Sequence, residues 1–352
     1  MKNLKLIAIS FILLCTCYSC EKEEPFSYEE DVQIESTSLI SQKIIKNGEP
    51  GFILESRNTE MGGFANHEVV LFKGKIWSIG GDNSGTPPYT PGSDIWSSSD
   101  GINWDFVRNN AFPARQNHSV LVYKNKVWVI GGVDDLGNEL NDIWNSNDGI
   151  NWRRISRWTS IGSIANNSSV IFKDRIYIFI GSGEVTTKVW SSSDGSIWRL
   201  ETSNAFPVRN YTRAIAFKDY LYVVGGLDRD SGSYSNDVWA SHDGIFWRKN
   251  LPGPSPDPSQ ERIFSPRIEH TMTEYNGRVW IIGGKEEGNN FSNEIWSTSN
   301  MKYWKKHRNL PKSATLSSHA SLLYGDELWI LGGYHQQSDR SSVLSSSIWS
   351  MR

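Results

Sequence analysis

Cysteine is scarce in this 352-residue sequence: Cys15, Cys17 and Cys20 are the only three, and all fall within the first twenty positions. The rest of the chain therefore has no disulfide, no thiol nucleophile and no cysteine-ligated metal. Charge of one sign is scarce as well. The formal net charge is −3 and the repeats described below contain no basic run, so the phosphate attraction that drives nucleic-acid binding has no evident source. Long apolar runs are also lacking. The stretch from Leu6 to Leu14 is too short to span a bilayer.

Repetition is what the sequence has in abundance. "IWSSSDGINW" at 95–104 returns as "IWNSNDGINW", "VWSSSDGSIW", "VWASHDGIFW" and "IWSTSNMKYW". The first Trp of each copy stands at 96, 144, 190, 239 and 296, and a partial copy, "SIWSMR", puts Trp349 at the chain end. An apolar run ending in Gly-Gly keeps the same rhythm at Gly80, Gly131, Gly225, Gly283 and Gly332, with "IFIGS" at 178–182 as a degenerate copy. Spacings of 46 to 57 residues mark an array of one structural unit, here six times over.

Within each unit the apolar period is two, as in "HEVVLFKGKIWSIGG" and "HSVLVYKNKVWVIGG". Two short β-rich runs flanking a tight turn read as a hairpin. A variable polar loop, a third strand carrying "DIW", the turn "SSDG" and a fourth strand opened by the second Trp complete the unit. The pattern predicts an all-β chain: a six-bladed β-propeller of four-stranded antiparallel blades. The last unit stops after its third strand, whereas 47–56, "NGEPGFILES", align with the fourth-strand segments. The N-terminal strand is therefore expected to close the last blade and remove its free edges. The Trp pairs are expected to fill the gaps between blades, and Asp and Gly of "SSDG" to make the turn.

These units resemble kelch repeats, through the Gly-Gly pairs and the Trp pairs Trp96/Trp104, Trp144/Trp152, Trp190/Trp198, Trp239/Trp247 and Trp296/Trp304. The resemblance covers 47–352, and unit three departs from it with Ser182 in place of the second Gly. "SSSDGINW" also resembles the Asp box of sialidases, but Ser99 stands where the Asp belongs and Asp100 comes one place late. In sialidases that box is a fold element, and no Phe-Arg-Ile-Pro segment accompanies it here, so sialidase chemistry is the weaker reading. Galactose oxidase, another kelch propeller, needs a Cys cross-linked to a Tyr beside copper, which the cysteine distribution excludes.

The N-terminus has a separate logic. Residues 1–19, with Lys2 and Lys5 before the apolar stretch and small residues before Cys20, have the pattern of a secretory signal. They resemble a bacterial lipoprotein signal, which implies lipidation at Cys20; acylation at Cys17 and simple secretion are the alternatives. "EKEE" at 21–24 looks like an export tag that places lipoproteins on the outer face of the outer membrane, or else is an ordinary solvated charge run. Residues 20–46 are acidic and polar and read as a tether to the propeller domain at 47–352.

Functional candidates come from columns across the units. Ten residues before each strand-two aromatic stand His67, His118, Asn167, Thr212, His270 and His319, at the start of the innermost strand and near one channel mouth. The width of a central channel disfavours a shared metal; a ligand-binding ring and local hydrogen bonding to backbone are the other readings. A second column holds Arg115, Arg209 and Arg267, after "FPA", "FPV" and "FSP". Resemblance to kelch domains of ubiquitin-ligase adaptors and bacterial sialic-acid mutarotases implies that these loops line a ligand-binding mouth; salt bridging between blades is the competing reading. Arg213 and Glu269 join the set, and Glu269 with Arg267 or Arg209 is the acid/base pairing a mutarotase would need. The sequence thus reads as an outer-membrane-anchored, monomeric kelch-type propeller that binds a glycan or protein ligand at one mouth, with a sugar mutarotase or epimerase as the alternative. No cofactor, metal or nucleic acid is expected, and membrane contact is expected only through the N-terminal lipid.

Overall fold

The computed structural model describes residues 51–82, 90–156, 161–181, 185–250, 263–311, 314 and 316–352. The leader, Cys20, the tether and Ser182 lie outside these residues. Six four-stranded antiparallel sheets form the blades of a β-propeller. Blade 1 runs Glu68–Phe72, Lys75–Asp82, Pro91–Ser98 and Asp105–Arg108, and blades 2 to 5 repeat that order within 119–156, 168–202, 213–249 and 271–306. Blade 6 takes Ala320–Tyr324, Glu327–Leu331 and Ile348–Met351, and its fourth strand is Phe52–Ser56. There Phe52 faces Met351 and Leu54 faces Trp349, so the ring closes through the N-terminal strand as the repeat alignment predicts. The first strand of each blade is innermost and touches the first strands of both neighbours.

The apolar core is divided among the seams between blades. Six clusters of buried side chains each join two neighbours; between blades 1 and 2, for example, Trp77, Ile79 and Ile95 meet Val127 and Val129. Full burial of such side chains contributes about 1.5–3 kcal/mol each.

The recurring ten-residue segment belongs to the same seams. Ser146 Oγ accepts the Gly149 N–H at 2.8 Å, and Asp148 Oδ1 accepts the amides of Ile150 and Asn151 at 2.8 and 2.7 Å. Gly149, at φ 79°, then lies so close to the Trp77 ring of the preceding blade that a Cβ would sit 2.5 Å from it. Gly101 stands against Trp329, Gly195 against Trp128 and Gly244 against Tyr177 in the same way. Blade 5 places Met301 there, at φ 60° and wholly buried.

The Gly-Gly pairs staple blade to blade through backbone. The second Gly donates its N–H to a carbonyl at the entrance of the next blade: Gly81 to Arg115 at 3.0 Å, Gly132 to Ile164 at 2.7 Å, Gly226 to Arg267 at 3.1 Å, Gly284 to Leu316 at 2.8 Å and Gly333 to Phe64 at 2.7 Å. The approach excludes a side chain on the first Gly; a Cβ on Gly131 would sit 1.9 Å from the Ile164 oxygen.

A tier of short ladders, which the repeat pattern does not announce, rises at the channel end served by these loops. Arg209–Asn210 pairs with Leu227–Asp228. Arg267–Ile268 pairs with Lys285–Glu286, which in turn pairs with Asn290–Phe291. Leu316–Ser317 pairs with Tyr334–Gln336, and that strand with Ser342–Leu344.

Candidate functional site at one mouth of the channel

The three arginines of the loop column do not reach the mouth. Arg115 is wholly buried, with Nη1 and Nη2 on the Asp142 carboxylate at 2.8 and 3.2 Å and Nη1 also on the Gly131 carbonyl at 2.8 Å. Arg209 pairs with Asp237, and Arg267 with Glu294 at 2.7 Å and Glu286 at 3.2 Å. Asp142, Asp237 and Glu294 also accept the indole N–H of the Trp two residues on: Trp144, Trp239 and Trp296. Burial pushes the Glu294 carboxyl up, but hydrogen bonds from Lys306, Trp296 and Arg267 outweigh it and hold the group at about 2. The expectation of ligand-binding cations at these positions is corrected: their planar forks are saturated within their own blades. The Arg267 and Arg209 pairings with Glu269 fail for the same reason.

The histidine column is buried and uncharged. Desolvation, with smaller Coulombic contributions from neighbours including Arg213 or Arg115, lowers His67, His118 and His319 to about 3 and His270 well below its ordinary value. His118 Nε2 lies 3.1 Å from the Ile79 carbonyl and His319 Nε2 3.0 Å from Thr271 Oγ1, each on the preceding blade. Three of the rings also pack on the first Gly of the preceding blade: a Cβ on Gly80 would meet His118, one on Gly225 His270 and one on Gly283 His319. His67 instead contacts Phe64 edge-on at 4.5 Å between ring centroids. These histidines belong to the seams, and two of them, His67 and His118, also line the cavity at the mouth.

One position earlier stands a column of which the sequence singled out Glu269 alone: Asn66, Asn117, Asn166, Tyr211, Glu269 and Ser318, all at φ between 52° and 56°. The left-handed backbone bends each loop inward, and the amides link from blade to blade around the axis. Asn166 N–H donates to Asn117 O at 3.2 Å, Tyr211 to Asn166 at 3.0 Å, Ser318 to Glu269 at 3.1 Å and Asn66 to Ser318 at 3.0 Å. Three asparagines in one column, a residue type tolerant of this conformation, were the available signal.

These residues surround a cavity of about 40 Å³, with His67, Glu68, His118, Asn167, Thr212 and Arg213 completing its wall. Arg213 spans the axis: Nη1 meets Glu68 Oε1 of the opposite blade at 3.0 Å, while Nε donates to the His270 carbonyl at 2.8 Å. The channel is therefore narrow at this level, which corrects the argument from channel width. Glu269 accepts hydroxyl bonds from Ser317 and, at 3.0 Å, from Ser318. Two carboxylates against one guanidinium give the wall a slight acid surplus. Asn166 Oδ1 and Asn167 Nδ2 are buried there without a protein hydrogen-bond partner among the described residues.

At the rim, Asp82 is buried among neutral donors. Asn66 Nδ2 donates to it at 2.9 Å, Tyr334 Oη donates to the same oxygen, and the Gln116 amide, turned nitrogen-first, reaches Oδ1 at 3.0 Å. Desolvation raises its pKa against the hydrogen bonds from Tyr334 and Asn66. This network joins blades 1, 2 and 6 and fixes the orientation of Asn66.

Comparison with known proteins adds an architecture and a family match. Residues 54–352 match the family model described as the DUF6242 beta propeller domain. No curated protein matches the chain by sequence. Among solved structures 581 chains match, so a likeness of this kind identifies an architecture and not an activity. The structure of YjhT matches with a TM-score of 0.62 at 15% identity, covering 82% of this chain and 95% of that one.

Proposed function

The chain belongs to the DUF6242 beta propeller domain family, and from that premise we propose that it is a kelch-type, envelope-anchored propeller whose mouth binds a hydroxyl-rich ligand, a glycan. One observation carries the reading: the buried acceptor Asn166 Oδ1 and the buried donor Asn167 Nδ2, adjacent in the cavity wall and unpartnered. Buried polar atoms are nearly always satisfied, and a sugar hydroxyl both donates and accepts. The cavity of about 40 Å³ is far below the roughly 300–1,000 Å³ of a small-molecule pocket. A single substituent enters it, and the sugar ring lies across the rim formed by Tyr211, Glu269 and the asparagines.

The anchoring part of the reading rests on the leader. Residues 1–19 serve as a lipoprotein signal, Cys20 takes the lipid, and 20–46 tether the domain 47–352 to the outer membrane. Cys20→Ala should move the protein to the soluble fraction, because buried lipid methylenes supply about 0.8 kcal/mol each; continued fractionation with membranes overturns the assignment.

The ligand is tested on a glycan array followed by calorimetry with the best hit. Asn167→Ala combined with Asn166→Gly, which keeps the positive φ relaxed, should weaken binding at least about tenfold, since leaving a partner group unpaired costs about 1–3 kcal/mol. Undiminished affinity overturns the site, and an array with no hit overturns the glycan.

A mutarotase is the second reading, favoured by one feature: the Glu269 carboxylate and the Arg213 guanidinium line the same cavity. Glu269 would take the anomeric hydroxyl proton as the bond from the anomeric carbon to the ring oxygen breaks and pass it to that oxygen, and the reverse transfer would accompany reclosure on the other face of the carbonyl. Accelerated anomer exchange by NMR, abolished in Glu269→Gln, supports it; exchange at the solvent rate removes it.

A further inference from the structure

The two ends of the propeller differ in charge over most of the ring. In blades 2 to 5, the first-hairpin turns (123–126, 173–175, 218–219 and 274–278) and the outer turns with the fourth-strand starts (146–154, 192–201, 241–249 and 298–306) contain fourteen Lys and Arg against seven Asp and Glu. They share one face: Lys124 Nζ donates to Ser193 O at 2.9 Å, Lys173 to His242 O at 2.8 Å and Lys218 to Ser299 O at 2.7 Å, each bridging a hairpin turn to the outer turn of the next blade. At the mouth end, the segments that follow Gly-Gly (134–142, 228–237, 285–294 and 334–347) contain eleven Asp and Glu against three Lys and Arg; Asp142, Asp237 and Glu294 among them are neutralised by the buried Arg115, Arg209 and Arg267, the last two acids also by Lys249 and Lys306, which leaves eight acids against three cations there.

The basic face also bears apolar tips. Each of four consecutive outer turns exposes one: Ile150 at 47%, Ile197 at 77%, Phe246 at 78% and Tyr303 at 41%. Single exposed apolar residues are ordinary, but here each has an exposed cation within two or three residues, Arg153 and Arg248 among them. The chain enters the domain at this face too. Third strands run toward the outer turns, and Met351, at the end of the last third strand, pairs with Phe52, so Gly51, the first described residue, lies on the basic side.

We propose that this face docks on an anionic lipid surface, with the apolar tips at headgroup depth and the mouth turned away from the membrane. Phosphate-bearing headgroups attract surface cations by about 1 kcal/mol each, and apolar side chains set among cations are the chemistry of interfacial binding. The setting rests on the membrane-anchored reading given above, but the experiment reads the face without the lipid chain, so the two fail separately.

The full chain carrying Cys20→Ala is mixed with vesicles of phosphatidylcholine alone or with 30% phosphatidylglycerol, a composition of roughly the anionic content that gives a bilayer its surface potential, and partitioning is measured by sedimentation. Any contribution of the leader to neutral vesicles is common to all variants, so the increment on anionic vesicles is the readout. The unsubstituted face should give a clear increment that disappears in high salt. Arg153→Gln, Arg248→Gln and Phe246→Ser together should cut it at least about tenfold, at roughly fivefold per cation. Arg57→Gln with Arg340→Gln, the same charge change at the mouth end, should leave it within about twofold, as charges beyond a Debye length are screened. Equal partitioning to the two vesicle types overturns the proposal, as do equal losses in both variants or capture by soluble heparin without vesicle binding. If the triple variant melts early, the salt titration of the unsubstituted face decides.

Discussion

Replacing Arg115 with Leu should cost about 3–5 kcal/mol, the usual penalty for stranding a buried charge. Asp142 would keep one neutral donor, Trp144 Nε1 at 2.7 Å, and lose both bonds from the guanidinium. The Gly131 carbonyl would lose its 2.8 Å partner as well. The protein itself supplies the repair. In blade 6 the arginine position is Leu316 and the acid position Ser347; in blade 3 they are Ile164 and Lys188. Where the arginine is apolar in these two blades, the acid is gone. Arg115→Leu with Asp142→Ser transplants the blade 6 arrangement and should recover most of the loss, leaving about 1 kcal/mol for the orphaned indole N–H. Urea unfolding reads both variants, and the single substitution should also lower Tm by about 5–15 °C on the scaling for large domains. A double variant as unstable as the single one refutes the charge-stranding argument. A single variant as stable as the parent refutes the pairing.

Two further outcomes follow from the ring. The folded state lowers His67, His118 and His319 to about 3 and His270 well below its ordinary value, whereas the unfolded groups are ordinary, so the unfolded chain binds more protons below about pH 6.5. Stability is complete above that pH and falls as pH drops toward 3, by up to about 1.4 kcal/mol per pH unit for each histidine. His270→Thr, the residue blade 4 uses, should flatten the urea-midpoint profile between pH 6 and 4; an unchanged slope rejects the assignment. Deleting 47–56 should lower the melting temperature sharply, because Phe52 and Ile53 are buried and their strand covers the edge of Ile348–Met351, whereas deleting 21–40 should not. Equal melting of the two truncations removes the closure argument.

The fold was legible because each blade rewrites the same constraints. Gly-Gly, Asp-Gly and the Trp positions recur since each meets the neighbouring blade at close range, although blade 5 accommodates Met301 at the Asp-Gly glycine. The mouth was less legible for a physical reason. In "FPAR" the conspicuous residue is the arginine, and a cation in a loop suggests solvent, but its partner Asp142 stands 27 positions downstream, in the "DIW" strand that the pattern assigns to structure alone. Reading acid and arginine columns together, blade by blade, would have pointed to the pairing: acid accompanies arginine in blades 2, 4 and 5 and both are missing in blades 3 and 6, while blade 1 keeps Asp94 with Phe64 at the arginine position. The wall-lining column hid for the opposite reason. Asn, Tyr, Glu and Ser share no chemistry, and only the common positive φ unites them.

That shared conformation leads to a last expectation. Six backbones adopt φ between 52° and 56°, yet Tyr211, Glu269 and Ser318 occupy three of the places where Asn is the residue best suited to a left-handed backbone. The bonds that tie the ring run from amide to carbonyl, so Asn in all six places would preserve them. The fold therefore does not ask for tyrosine or glutamate here, and strain retained at one mouth of a channel points to use rather than support. Tyr211→Asn, Glu269→Asn and Ser318→Asn together should melt within about 3 °C of the parent, the relaxed backbone offsetting the lost contacts at about 1 kcal/mol per position. The same variant should lose the affinity of the mouth for its glycan. A large fall in melting temperature would assign these side chains to the scaffold, and retained affinity would move the binding surface away from the ring.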